Sequence, residues 1–117
     1  MDTPRLAVVI VSWNVRELLA SCLRSLLDDL GRTGVDATVW VVDNASSDGS
    51  AEAVRWRFPA VRLIVNSRNL GFAAANNRAL RRMQGRYALL LNSDAAPTEG
   101  AVKRLFRRRV EAFPVQP

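Results

Sequence analysis

The sequence predicts an α/β fold: an open parallel sheet with helices on both faces, in the order β-α-β-α-β-α-β-α. Three observations carry that prediction. Apolar runs of strand length, mostly Val, Ile and Leu, recur along the chain. Such unbroken runs suit strands buried on both faces rather than half-wetted ones. Between them lie segments with apolar residues at helical spacing, and the connections are short. Strands alternating with helices favour parallel pairing with right-handed crossovers.

Each element has its own signal. The run LAVVIV at 6–11 is the first strand. In VRELLASCLRSLLDDL, Val15, Leu18, Leu19, Cys22, Leu23, Leu26, Leu27 and Leu30 make one apolar helical face. Asn14 suits the N-cap, Glu17 the capping-box position, and Gly31 and Gly34 the end. ATVWVV at 37–42 is the second strand. Ser47 or Asp48 caps a short helix reaching about Phe58, and Pro59 stops it. VRLIV at 61–65 is the third strand. The third helix runs from Gly71 or Phe72 to Met83, with Phe72, Ala75, Ala79, Leu80 and Met83 inward, and Gly85 closes it. YALLL at 87–91 is the fourth strand, and residues 98–113 read as a fourth helix.

The totals narrow the chemistry. At 117 residues and 49% hydrophobic, the chain is one domain, 1–117, with a real core. It has no histidine, which excludes Ser-His-Asp and Cys-His pairs and imidazole-based zinc sites. The single cysteine, Cys22, lies in the apolar stripe and reads as a buried hydrophobe. A metal here must be held by oxygen, which favours Mg2+ or Mn2+. The start MDTPRLAVVIVSWN has an acid where a signal peptide has basic residues and no small-residue cleavage site, so a cytoplasmic protein is expected. The net charge is +6, with Lys103, Arg104, Arg107, Arg108 and Arg109 facing only Glu99 and Glu111 near the end. That surplus attracts phosphate, nucleic acid or an anionic membrane, or is simply a solvated helix face.

Every predicted strand runs into polar residues. Ser12-Trp13-Asn14 follow the first, Asp43 to Asp48 the second, Asn66 to Gly71 the third and Asn92-Ser93-Asp94 the fourth. In a parallel sheet these ends share one edge, where open α/β sheets bind ligands. One such cluster is ordinary turn chemistry; four on one edge point to a common site. No G-x-G-x-x-G and no G-x-x-x-x-G-K-[ST] is present, so neither a dinucleotide fingerprint nor a P-loop handles phosphate. Asp94 at a strand tip suits a hard divalent cation, with Asn92 adding an oxygen; the alternative is a helix cap or turn. Asp43 suits the N–H of a uracil- or thymine-like ring, or else an Asx-turn near Ser46. Asp48 reads as a helix cap.

AVVIVSWNVRELLASCLRSL, VVDNASSDGS, NLGFAAANNRAL and ALLLNSDA resemble, in order, the motifs of family 2 glycosyltransferases of the GT-A fold, particularly the bacterial rhamnosyltransferase-like branch. The resemblance covers residues 6–105. It implies a Rossmann-like GT-A nucleotide-sugar-binding half, a UDP-, dTDP- or GDP-sugar donor, Mg2+ or Mn2+, and inverting transfer to a saccharide or glycolipid acceptor in cell-envelope synthesis. By position, Val11 to Asn14 and Glu17 would contact the nucleoside, with Trp13 stacking on the base or packing in the core. Asp43 would meet the base, and Asn69, Gly71 and Asn76 would lie near ribose and diphosphate. Asn92-Ser93-Asp94 stands at the D-x-D position, with asparagine replacing the first acid, and Asp94 is the metal ligand.

The same resemblance puts the general base and the acceptor surface in a second half, beyond the D-x-D position. Past Asp94 the only carboxylates are Glu99 and Glu111, so no residue is assigned as base. A truncated, donor-binding piece is the expectation, cytoplasmic or at the inner face of the membrane, with peripheral membrane contact and no nucleic acid. The other reading is a basic interaction module acting through the arginine-rich last helix, but neither an aromatic-interleaved stripe nor a helix-turn-helix supports it.

Overall fold

The computed structural model describes residues 6–83, 87–93 and 100. Gly85, Asp94, Glu99 and the expected fourth helix, with Arg107 to Arg109 and Glu111, lie outside the described residues. The elements are β1 (Leu6–Ser12), α1 (Arg16–Thr33), β2 (Ala37–Asp43), α2 (Ser50–Arg57), β3 (Arg62–Val65), α3 (Phe72–Arg82) and β4 (Tyr87–Asn92).

The strands form one sheet in the order β3-β2-β1-β4, and every pairing is parallel. The β-branched runs explain the centre: Ala7, Val8, Val9 and Ile10 of β1 and Val41 and Val42 of β2 are all fully buried. Alternate residues serve opposite layers. Leu6, Val8, Ile10, Val39 and Val41 pack under α1 and α2 with Leu19, Leu23, Leu26 and Val54. Ala7, Val9, Trp40, Val42 and Ile64 pack under α3 with Ala75, Ala79 and Met83. The helices therefore cover both faces, as a βαβ chain with one hand of crossover requires. Cys22 is buried in the first layer.

The structure corrects several local details. Gly31 lies inside α1, and Gly34 alone ends it, with φ +72° and its N–H donated to Leu30 O. Leu18 and Phe72 face outward, 53% and 58% exposed, each in the first turn of its helix. Asn14 is not the cap of α1 and Glu17 completes no capping box. Val15 takes the N-cap position without a side-chain bond, and Glu17 pairs with Arg16 on the surface at 3.2 Å. Neither Ser47 nor Asp48 is the N-cap of α2; Gly49 is, at φ +83°, with Asp48 just before it.

Candidate nucleotide-binding rim

The strand register aligns the polar ends. Ser12 sits opposite Asp43, Asp43 opposite Val65, and Val11 opposite Asn92. The ladder continues one step into the turns, where Asn44 N–H donates to Ser12 O and Asn66 N–H to Asp43 O, both at 2.8 Å. Ser12, Asp43, Asn66 and Asn92 thus share the carboxyl edge of the sheet. Between β1 and β4 the strand order reverses, since β1 feeds β2 on one side while β4 returns on the other. Such a reversal opens a crevice at that edge.

Two loops are stitched together over the rim. Asn14 adopts φ +52°, a left-handed conformation that asparagine tolerates better than most side chains. Its N–H donates to Ser46 Oγ at 2.9 Å, and its Oδ1 accepts from Ser47 N–H at 2.7 Å. Asp48 joins the starts of two helices. Oδ2 accepts from Arg16 N–H at 3.0 Å, and Oδ1 accepts from the N–H and hydroxyl of Ser50. A carboxylate there also meets the positive ends of both helix dipoles. Partial burial pushes the Asp48 carboxyl up, but the bonds from Ser50, Arg16 and its own N–H outweigh it and hold the group below the usual carboxylate range.

A second network fixes the loop before α3. Asn44 Oδ1 accepts from Asn66 Nδ2 at 2.9 Å and from Leu70 N–H at 3.2 Å, while its Nδ2 donates to Gly71 O at 3.2 Å. Arg78 of α3 donates to Asn66 Oδ1. Asn69 Oδ1 accepts from Gly71 N–H at 2.8 Å. Gly71 has φ +81° and ψ 175°, a region open in practice only to glycine, and a Cβ built there meets nothing within 4 Å. The need for glycine is therefore conformational, and the space beside it is open to a guest.

Within this frame, three buried side-chain oxygens find no partner among the described residues: Ser12 Oγ, Asp43 Oδ1 and Asn76 Oδ1. Asp43, 2% exposed, spends Oδ2 on Ser46 N–H at 3.1 Å and keeps Oδ1 unused. It is therefore the Asx-turn acceptor and still holds a free acceptor. Asn76 back-bonds through Nδ2 to Phe72 O at 3.1 Å, leaving Oδ1 unpaired on the α3 side. Leaving a buried polar atom unpaired costs about 1–3 kcal/mol. Proteins concentrate such costs at binding sites.

Among the expected site residues, Ser12, Asp43, Asn69, Gly71 and Asn92 come to the common edge or the loop fastened to it. Trp13 is 54% exposed beyond β1, which removes core packing as its role. The Asn14 side chain is committed to Ser47. Glu17 lies on the outer surface of α1. Asn92 is exposed, and its carbonyl faces Cys22 Sγ at 3.8 Å. Asp94 lies outside the described residues, and among those described no three His, Cys, Asp or Glu side chains gather as metal ligands. The sequence reading missed Asn44, Asn66 and Arg78, which position the third loop; the dense Asn content of two strand ends was the available signal.

The family model of glycosyl transferase family 2 matches residues 7–111. The putative teichuronic acid biosynthesis glycosyltransferase TuaG of Bacillus subtilis is 30% identical over 94 residues, 78% of this chain and 36% of the relative. The succinoglycan biosynthesis protein ExoO of Rhizobium meliloti is 29% identical over 106 residues, 90% of this chain and 30% of the relative. This chain thus spans about a third of the length of the curated relatives it matches. Among solved structures, the mannosyltransferase PcManGT from Pyrobaculum calidifontis, in complex with GDP-Man and Mn2+, superposes with a TM-score of 0.73 at 29% identity, covering 86% of this chain and 30% of that one. S. aureus TarS 1-349 in complex with UDP-GlcNAc gives 0.76 at 23% identity over 92% of this chain and 31% of that one, a likeness of fold.

Proposed function

The chain belongs to glycosyl transferase family 2, and from that premise we propose that its carboxyl rim binds the nucleotide-diphospho-sugar donor of a sugar transfer. The observation that carries the reading is the unpartnered Oδ1 of Asp43 and Oγ of Ser12, on residues paired in register between β1 and β2, next to the reversal of strand order between β1 and β4. These are one anionic acceptor and one hydroxyl that both donates and accepts. A uracil or thymine ring offers one N–H flanked by carbonyls, which matches that pair. Guanine offers two adjacent donors, which a carboxylate takes best with both oxygens, and Ser46 already occupies Oδ2. Asp43 and Ser12 are deeply buried, so a base reaches them only as the rim loops give slightly. Trp13, exposed next to this pair, supplies a stacking face for the base. Asn69, Gly71 and Asn76 lie toward ribose and diphosphate, where the glycine leaves open space.

A divalent metal fits the chemistry of this donor set, which offers oxygen and no nitrogen or sulfur. Asn92 and Asp94 would hold it, together with the donor's phosphates, as Mg2+ and Mn2+ prefer. When bound it supplies charge neutralisation at the leaving diphosphate. The support is the complex of the 29% identical mannosyltransferase with Mn2+. The transfer itself is read as a single displacement with inversion. The acceptor hydroxyl oxygen bonds to the anomeric carbon from the face opposite the diphosphate, the bond to the diphosphate breaks, and a base takes the hydroxyl proton. No residue of this chain is assigned as that base. The acceptor is a saccharide or glycolipid of the cell envelope, on the strength of the teichuronic acid and succinoglycan relatives. The site of action is the cytoplasm or the inner face of the membrane. Among the described residues no helix is long and apolar enough to cross a membrane.

Calorimetric titration with UDP-, dTDP- and GDP-sugars, with and without Mn2+, tests the reading. Metal-dependent binding of a pyrimidine nucleotide sugar is expected. A folded sample that binds none of the three would overturn it.

A further inference from the structure

The most exposed large apolar side chain among the described residues lies at the end of α2 away from the rim. Trp56 is 82% exposed and lies in the last turn of α2, whereas the rim adjoins the first. Val54, two positions earlier, is 2% exposed and packs into the layer beneath. Two positions are about 200° of helical rotation, so Val54 points down and Trp56 points outward. Arg55 and Arg57 lie about 100° to either side of Trp56 and are both exposed. The Arg57 guanidinium leans on the Phe58 ring, 5.8 Å from its centroid. Glu52, one turn before Trp56, is the sole acid on the helix. Pro59 and Ala60, which continue the chain, are also exposed.

A buried indole would stabilise the fold; this one does not. The sequence could place any polar residue at that position without losing packing. An exposed aromatic ring flanked by guanidinium groups suits an anionic amphipathic surface. Indole partitions into the boundary between headgroups and acyl chains, because its ring is apolar and its N–H is polar. Guanidinium groups on either side bind lipid phosphates in a forked geometry while their stems lie along the apolar ring. The chain's net charge of +6 favours an anionic surface. A single helical turn with one exposed aromatic offers no row of stacking platforms for nucleic acid bases.

We propose that the outer face of α2, centred on Trp56 with Arg55 and Arg57, is a contact for an anionic lipid surface. Its position in the last turn of α2 leaves the rim free while the contact is made. The contact does not depend on the donor reading, so each can fail alone.

Co-sedimentation of the whole chain with phosphatidylcholine vesicles, with and without phosphatidylglycerol, tests it. Binding is expected only to the vesicles carrying phosphatidylglycerol. W56A should lower the partition coefficient about tenfold from lost apolar contact. R55A/R57A should lower it about 25-fold, each charge being worth about fivefold at such a surface. The control is R24A/R81A, which removes two exposed arginines from other helices. If this control costs as much as R55A/R57A, binding follows net charge alone and the proposal fails. It fails equally if W56A binds as the parent does, or if the chain takes up duplex DNA but neither vesicle. Circular dichroism confirms that each variant is folded.

Discussion

Replacing Asn44 with alanine removes three hydrogen bonds that tie β2 to the loop before α3. Their partners differ in what happens next. Asn66 is 2% exposed, so its amide loses a partner that water cannot readily replace. Leu70 is half-buried and Gly71 exposed, so water compensates part of their loss. One fully buried orphan costs about 1–3 kcal/mol and the two wetter ones less, which puts N44A about 2–4 kcal/mol below the parent. With a urea slope of about 2 kcal/mol per molar, the unfolding midpoint should fall by about 1–2 M. N44D is the informative companion. It keeps acceptors for Asn66 and Leu70 but turns an oxygen toward Gly71 O, so it should fall between the parent and N44A. Urea titration followed by tryptophan fluorescence measures both. A loss below about 0.5 kcal/mol for N44A, the range of ordinary surface substitutions, would refute the claim that Asn44 holds the third loop.

D43N keeps an acceptor for Ser46 but presents an NH2 to the ring N–H, so pyrimidine nucleotide affinity should drop about ten- to a hundredfold by calorimetry. G71A meets no steric clash yet must hold φ +81°, so it should destabilise by about 1–3 kcal/mol in the same urea assay. The Asp48 carboxyl is held below its ordinary value, so its contribution is present above the unfolded pKa and is lost as pH falls through the folded one. Thermal stability should therefore decline below about pH 4, and D48N should flatten that acid limb.

The fold was legible where one chain segment carries its own evidence. Runs such as LAVVIV and the α1 stripe report burial with a fixed period, and the four strands and the first three helices fell within a few residues of expectation. The convergence of polar strand ends was legible too, because parallel pairing follows from the alternation of elements. What local pattern cannot report is a bond made across the chain. Asn14 looked like a cap because capping is judged within four residues, yet its partners are Ser46 and Ser47. Asn44 stands out in the sequence only as one of the polar residues after the second strand, yet it spans to Asn66, Leu70 and Gly71. Phe72 fitted the apolar stripe of α3, but a stripe says nothing of whether its first residue is covered, and Phe72 is exposed. The free oxygen of Asp43 was invisible for a related reason, since the sequence offered ligand or Asx-turn as alternatives, and the turn takes only Oδ2 while Oδ1 stays unpartnered.

The most direct test of the central claim, that one guest sits on the carboxyl rim, is a map of backbone amide shifts as UDP and Mg2+ are added to the labelled chain. The account predicts that the largest shifts fall on Ser12 to Asn14, Asp43 to Ser47 and Asn69 to Phe72, with Asn92 and Ser93 following when the metal is present. Shifts confined to the outer faces of α1 and α2, with the Ser12 and Asp43 amides unmoved at saturation, would contradict it.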